Sequence, residues 1–280
     1  MGEKLVFILP DSLEAALYAL VTMVQYLTTR FMMARASKQV YVICRWPELH
    51  DFVRACWVHA EVFTEPTPEM LKESDFTFYF DEVASYAMTK EIMKHIGDSF
   101  GIKLGVGLLR FLAPVLIETL AQEEPGRVLV VERNEMDGNK EPEWIWPDQN
   151  QFINELEERD IAVGLLNSFV TFEQMKLEIA RASVIIGVRG AATIIAAAAH
   201  KMVIELSPKE MAHVEWVRKK ECRQYKILYG SLQSLSSDLV LDVMEKAVRQ
   251  NRIRNLPVSR TELEMEPAGE QDVAPIQSEQ

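Results

Sequence analysis

The residues best suited to binding an anionic group lie in a turn over residues 188–190. Arg189 is followed by Gly190 and Ala191, and Ala191 opens an alanine-rich segment with high helix propensity. The first amides of a helix are unpaired donors at the positive end of its dipole, and Arg189 adds a full positive charge beside them. The turn therefore predicts a phosphate site, although a closely packed turn between a strand and a helix would use the same residues.

Three other charged residues are candidates for the same site because of their positions relative to the predicted strands. Arg133 comes directly after a buried strand, and Glu205 ends another. Lys140 lies in the polar loop over 134–143 and could reach the same phosphates, or it could be a solvated loop charge. A carboxylate such as that of Glu205 can accept hydrogen bonds from the hydroxyl groups of a ribose.

The elements that must position these residues alternate between strand and helix along the chain. This alternation predicts parallel sheets with helices on both faces, and ligands in such folds bind at the carboxyl ends of the strands. The predicted strands span 4–9, 39–44, 61–64, 76–81, 128–132, 161–166, 183–187, 202–206 and 226–229. The predicted helices span 13–36, 47–57, 82–96, 108–121, 148–159, 172–181, 191–199, 210–220 and 236–250.

A polar break over residues 122–127, which contains a proline and a glycine, divides the alternation into two halves. The sequence therefore predicts an α/β protein of two Rossmann-like, doubly wound domains in tandem, with a cleft between them. Residues 1–122 would form the first domain and residues 123–256 the second, and the last helix could pack back on the first. Residues 257–280 are acidic and poor in large apolar groups, which is typical of a disordered tail.

Composition narrows the classes of partner. The 280 residues carry a formal net charge of -12, which disfavours a nucleic-acid or anionic-membrane surface as partner. The three cysteines show no paired spacing, and the sequence has no segment that resembles a leader. Both observations predict a cytoplasmic protein. No apolar stretch is long enough to predict a membrane span, and the five histidines show no metal-ligand spacing.

Three segments, in the same order, resemble the heptosyltransferase family, glycosyltransferase family 9, whose members have the GT-B fold. Residues 11–14 and the helix after them resemble the family's S-x-G-D turn. Trp146–Pro147 resembles its K-x-W-P segment, and residues 182–206 resemble its "AS-hydrophobic-G-x-D-S/T-G-x-x-H-x-A-A-A" segment. The G-x-R-G-A form over 187–191 is also similar to the G-x-H-G-A segment of glycosyltransferase family 61.

The resemblance implies transfer of a sugar from a nucleotide-diphosphate sugar to a hydroxyl of a glycan, a lipid-linked acceptor or another molecule. It implies an inverting reaction that uses no metal and no further cofactor. Asp11 or Glu14 would be the catalytic base that removes the hydroxyl proton. Arg133, Lys140, Arg189, Gly190, Ala191 and Glu205 would bind the donor.

Two alternatives remain at this stage. The family's Asp of the S-x-G-D turn falls on Glu14, its D-S/T-G triplet falls on residues 189–191, and its histidine falls on Ile194. These changes also fit a catalytically inactive relative with a binding or structural role. A nucleotide-sugar epimerase of the same two-domain architecture is the second alternative. Carboxylates near a helix start can also have a purely structural role, because they stabilise the helix dipole.

Overall fold

The computed structural model of the protein describes residues 3–17, 19–20, 23, 27, 38–56, 59–80, 123–133, 137, 144–199, 201–209 and 224–251. The helices predicted over 82–96, 108–121 and 210–220, and the tail over 257–280, lie outside these residues.

The first sheet has four described strands, all parallel, in the spatial order β3-β2-β1-β4. The strands are β1 (Glu3–Ile8), β2 (Lys38–Ile43), β3 (Ala60–Phe63) and β4 (Phe76–Tyr79). Helix α1 follows β1 and is described at 13–17, 19–20, 23 and 27. Helices α2 (His50–Cys56) and α3 (Pro68–Glu73) precede β3 and β4.

The second sheet has five described strands, again all parallel, in the order β6-β5-β7-β8-β9. The strands are β5 (Val128–Val131), β6 (Val163–Leu166), β7 (Val184–Val188), β8 (Met202–Pro208) and β9 (Gln224–Tyr229). The helices are α4 (Gln149–Glu157), α5 (Phe172–Arg181), α6 (Ala191–Ala198) and α7 (Ser237–Asn251).

The two parallel sheets confirm the predicted fold class. β5 and β7 are buried along their whole length, which explains why their sequences are continuously apolar instead of alternating. Several elements differ from the prediction. Helix α3 was not predicted, and β8 extends two residues beyond the predicted end at residue 206. β6 begins two residues later than predicted, and β9 begins two residues earlier.

The start of α3 has a local signal that the sequence analysis did not use. The Thr67 side chain accepts a hydrogen bond from the Met70 amide, and Pro68 occupies the first helical position. Threonine followed by proline is a typical helix start. With only six residues and no buried side chain, α3 has no apolar periodicity that would have predicted a helix.

One apolar core cluster contains residues from both sheets. Leu5 and Phe7 of β1 belong to the same cluster as Val131 of β5 and Ile185 of β7, together with buried residues of α1 and α6. A second cluster lies within the C-terminal half, and the buried residues of α7 belong to it. Over residues 237–251, the last helix therefore packs in the cluster that contains residues of β5 and β7. Among the described helices, none is both long and apolar enough to cross a membrane.

Substituting Gly187 by alanine should destabilise the protein, because β7 and β5 leave no space for a side chain there. Gly187 is paired with Val131, and an added Cβ would lie 2.8 Å from the Val131 Cβ. We expect Gly187→Ala to lower the free energy of unfolding by about 1–3 kcal/mol, measured by urea denaturation.

Gly230→Ala is the matched control, because nothing lies within 4 Å of the position of an added Cβ at Gly230. We expect this control to change the free energy of unfolding by less than about 0.5 kcal/mol. Equal effects of the two substitutions would contradict the proposed close approach at Gly187.

Candidate active site

Four charged residues from separate elements meet between the two sheets. Glu14 lies in the first turn of α1, directly after β1, while Arg133 follows β5 and Arg189 follows β7. Glu205 belongs to β8, the neighbour of β7. Because the strands of each sheet are parallel, their carboxyl ends share an edge, and the turns after β5 and β7 meet there.

Glu14, which follows β1, forms ionic contacts with two arginines of the C-terminal half of the chain. One oxygen of its carboxylate accepts a hydrogen bond from Nε of Arg189 at 2.9 Å, across 175 positions of sequence. The other oxygen lies 3.1 Å from Nη1 of Arg133. The side chain of Arg189 is 1% exposed and that of Glu14 is 12% exposed, so this ion-pair cluster is largely shielded from water.

Glu205 contacts a different nitrogen of the Arg189 guanidinium from the one that binds Glu14. Its Oε1 lies 3.5 Å from Nη1 of Arg189, and its Oε2 accepts a hydrogen bond from the Gln224 side chain. Burial raises the pKa of Glu205 above its ordinary value, although the charges of Arg189 and Lys226 act in the opposite direction. Because β8 continues to Pro208, Glu205 lies within the strand, whereas the sequence predicted it at the strand end.

Asp137 was not predicted as a site residue, yet its carboxylate binds the first amide of helix α6. Both oxygens of its buried carboxylate lie 3.2 Å from the amide nitrogen of Ala191, which donates to them. The amide predicted to bind a phosphate therefore binds a carboxylate of the chain itself. Gly190 allows this approach, since an added Cβ there would lie 2.5 Å from an Asp137 oxygen.

Arg133 contacts the main chain at both Arg189 and Asp137. Its Nη1 donates to the main-chain oxygen of Arg189 at 2.9 Å, and its Nη2 donates to that of Asp137 at 3.2 Å. The guanidinium also stacks on Trp144, 4.2 Å from the ring centroid. Stacking of this kind fixes the plane of an arginine and stabilises its charge.

The other predicted site residues are not in this cluster. The side chain of Asp11 is 74% exposed and lies 3.5 Å from Arg45, while its main-chain oxygen accepts a hydrogen bond from the Trp46 indole. Lys140 lies outside the described residues. Of the two acids considered as the base, the structure therefore brings Glu14 next to the predicted donor-binding cations.

The cluster contains groups of both charges. Two guanidinium groups, of Arg133 and Arg189, face the carboxyl groups of Glu14 and Glu205, and Arg133 also donates to the main-chain oxygen of Asp137. The arrangement can hold an anionic ligand if that ligand replaces a carboxylate, because excess charge in a shielded site is unfavourable.

Two all-parallel α/β sheets with a charged site at the carboxyl ends of their strands are the arrangement of the GT-B fold. Comparison with solved structures agrees with this fold. E. coli heptosyltransferase WaaC with ADP superposes with a TM-score of 0.57 at 9% identity, over 87% of this chain and 99% of that chain. The same enzyme with ADP-2-deoxy-2-fluoro heptose gives 0.56 at 9% identity, with the same coverage.

A glycosyltransferase of family 9 from Veillonella parvula superposes with a TM-score of 0.55 at 9% identity, over 89% of this chain and 98% of that chain. At such identities the likeness concerns the fold alone. No protein-family model matches the sequence, and no curated protein matches it.

The raised pKa of Glu205 predicts a pH dependence of stability. In the unfolded chain Glu205 loses its proton near its ordinary pKa of 4.5, whereas the folded protein retains the proton to higher pH. The contribution to stability is therefore complete below that pH and declines as the pH rises. We expect the free energy of unfolding of the wild type, relative to Glu205→Gln, to fall as the pH rises above about 4.5.

Glu73→Gln provides a control of opposite sign. The hydrogen bond and charge of Lys4 lower the pKa of the exposed Glu73, so its contribution is present above the ordinary pKa and is lost on acidification. Urea denaturation at several pH values measures both differences. A wild-type advantage over Glu205→Gln that grows with pH would contradict the assignment.

Proposed function

We propose that the protein is a glycosyltransferase that moves a sugar from a nucleotide-diphosphate sugar to an acceptor hydroxyl. The observation that carries this proposal is the contact of one acid, Glu14, with two arginines, Arg133 and Arg189, between two parallel sheets. The fold it shares with WaaC, which has been solved with ADP and with an ADP-heptose analogue, supports a nucleotide-diphosphate donor.

The cations would stabilise the leaving group. When the bond between the anomeric carbon and the diphosphate breaks, the diphosphate gains negative charge, and fixed positive groups lower the barrier most where that charge develops. Arg189, Arg133 and the first amides of α6 would supply this stabilisation, with Lys140 as a further candidate. Glu205 would orient Arg189, given its burial and the 3.5 Å contact.

Glu14 would act as the general base in an inverting transfer. As the acceptor oxygen bonds to the anomeric carbon, its proton would pass to the Glu14 carboxylate, and the electron pair of the breaking bond would leave with the diphosphate. The guanidinium groups would take the place of a metal ion. Within the described ranges, no group of three or more His, Cys, Asp or Glu side chains is arranged to hold one.

The remaining parts of the functional assignment stay predictions. These are the cytoplasmic location, the lack of a further cofactor, and an acceptor that is a glycan, a lipid-linked sugar or another hydroxyl compound. The acidic composition continues to favour an acceptor other than nucleic acid.

A second candidate function is supported by the same cluster. The carboxyl groups of Glu14 and Glu205 already contact the arginines that would bind phosphate. Removing one partner of a buried ion pair typically costs about 3–5 kcal/mol, so stability alone could explain Arg189. On that basis the protein would be a non-catalytic GT-B relative that serves as a binding or structural protein.

A panel of nucleoside diphosphates distinguishes the two functions. We expect one of ADP, GDP, UDP, CDP or TDP to raise the melting temperature selectively, with or without EDTA. A ligand at 100 times its Kd stabilises the native state by about 2.7 kcal/mol, an effect that differential scanning fluorimetry can detect. If none of the five changes the melting temperature, the non-catalytic function is favoured; if EDTA abolishes the shift, metal independence is wrong.

Substitution of the two acids tests which of them is the base. We expect Glu14→Gln to reduce sugar transfer by about 100-fold or more while nucleotide binding persists, because a general base contributes about 10²–10⁴ in rate. Asp11→Asn is the matched control, since Asp11 is exposed and lies outside the cluster. Transfer would be measured with the donor sugar of the nucleotide that the panel selects, and a greater loss in Asp11→Asn would assign the base to Asp11.

A further inference from the structure

We propose that Trp144 is a donor-binding residue, whose indole N–H binds an oxygen of the diphosphate together with the Nε–H of Arg133. This inference rests on the proposed function and adds a residue that was not among the predicted site residues. Trp144 lies at the position of the lysine in the family's K-x-W-P segment, so the resemblance to heptosyltransferases implies no tryptophan there.

Both of these N–H groups are buried donors without a partner. Nε1 of Trp144 and Nε of Arg133 have no hydrogen-bond acceptor in the part of the chain that the structure describes. The Arg133 side chain is only 10% exposed. A buried donor that makes no hydrogen bond is unfavourable, and such groups are rare in native proteins. Two of them in neighbouring side chains indicate that a ligand supplies the acceptors.

The protein itself orients the guanidinium group of Arg133. Its Nη1 donates to the main-chain oxygen of Arg189 and contacts Glu14, and its Nη2 donates to the main-chain oxygen of Asp137. Because a guanidinium is planar and rigid, contacts to its two terminal nitrogens also fix the direction of Nε–H. Donors that are fixed before the ligand arrives need no reorganisation when it binds.

Trp144 is held in place by the same guanidinium and by the core. Its ring centroid lies 4.2 Å from the guanidinium carbon of Arg133, and the ring also packs against the apolar cluster of the C-terminal half. The two unpartnered N–H groups therefore belong to one stacked pair of side chains. This pair, Arg133 and Trp144, is called the stacked pair below.

The stacked pair borders the turn over residues 188–190. Cγ of Arg133 lies 3.8 Å from the position of an added Cβ at Gly190, and Nη1 of Arg133 lies 2.9 Å from the main-chain oxygen of Arg189. Arg189 is one of the two arginines that would stabilise the leaving diphosphate. A diphosphate bound at this turn would therefore have oxygens close to the stacked pair.

The chemistry of the two donors favours phosphate oxygens as their partners. Indole and guanidinium groups donate hydrogen bonds and accept none. Phosphate oxygens accept hydrogen bonds and carry negative charge, and hydrogen bonds in which a partner is charged are stronger than those between neutral groups. A ribose hydroxyl could accept from one of the donors, but its own proton would find no acceptor on either side chain.

Trp144→Phe should weaken binding of the diphosphate. Phenylalanine keeps an aromatic ring that can stack on Arg133 but has no N–H to donate. Loss of a hydrogen bond to a charged group should lower the affinity about tenfold or more. Trp144→Leu should lower it at least as much, because Arg133 then also loses its aromatic partner.

The test is isothermal titration calorimetry of the wild type, Trp144→Phe and Trp144→Leu with ADP, GDP, UDP, CDP and TDP. Binding of one diphosphate by the wild type, with about tenfold or greater loss in Trp144→Phe, supports the inference. Equal affinity of the wild type and Trp144→Phe overturns the inference and leaves the proposed function intact. Wild-type affinity in Trp144→Phe with a loss in Trp144→Leu would mean that Trp144 only positions Arg133, which also overturns it. Binding by none of the three proteins overturns both the inference and the proposed function.

Trp46→Phe is the matched control. Trp46 also lies beside an arginine, with the guanidinium carbon of Arg45 5.7 Å from its ring centroid, but its indole N–H donates to the main-chain oxygen of Asp11. This variant should leave the affinity unchanged, and a loss equal to that of Trp144→Phe would overturn the inference. Trp144→Tyr, which also lacks the indole N–H, takes the place of Trp144→Phe if that variant does not fold, and the same outcomes apply to it.

Discussion

The ion pair between Glu14 and Arg189 is the constraint on which the rest of the site depends. It joins residues separated by 175 positions, and Arg189 is almost completely removed from water. Burying a guanidinium is costly unless partners compensate it, so the surrounding groups must have a definite charge and geometry. The cluster meets this requirement through the carboxyl groups of Glu14 and Glu205, and the Glu14 carboxylate is shared with Arg133.

This requirement also connects stability with ligand binding. Arginines that are paired with carboxyl groups stabilise the protein without a ligand, and they are also the groups that would bind an anionic ligand. The same contacts are therefore compatible with a transferase and with a relative that has lost its ligand. Affinity for nucleotides separates these possibilities, whereas the geometry of the cluster is common to both.

The sequence predicted the fold better than the site, for a physical reason. Strands such as β5 and β7 are buried on both faces, so their apolar runs are visible without knowledge of their neighbours. Glu14 and Arg189 were named as candidates, but their contact depends on how the two sheets meet. Asp137 belongs to an Asp-Gly-Asn triplet that is typical of a turn, so local rules gave it no reason to bind α6.

The apolar cluster shared by the two sheets has a consequence for how the protein folds. Domains with separate cores can unfold one after the other, whereas here Phe7 and Ile185 belong to a single buried cluster. If one sheet unfolded, the other would expose the apolar surface that the first had covered. Unfolding of one sheet would therefore destabilise the other. Unfolding should accordingly be a single cooperative transition, and a fragment that contains only one sheet would require the other fragment to regain its native core.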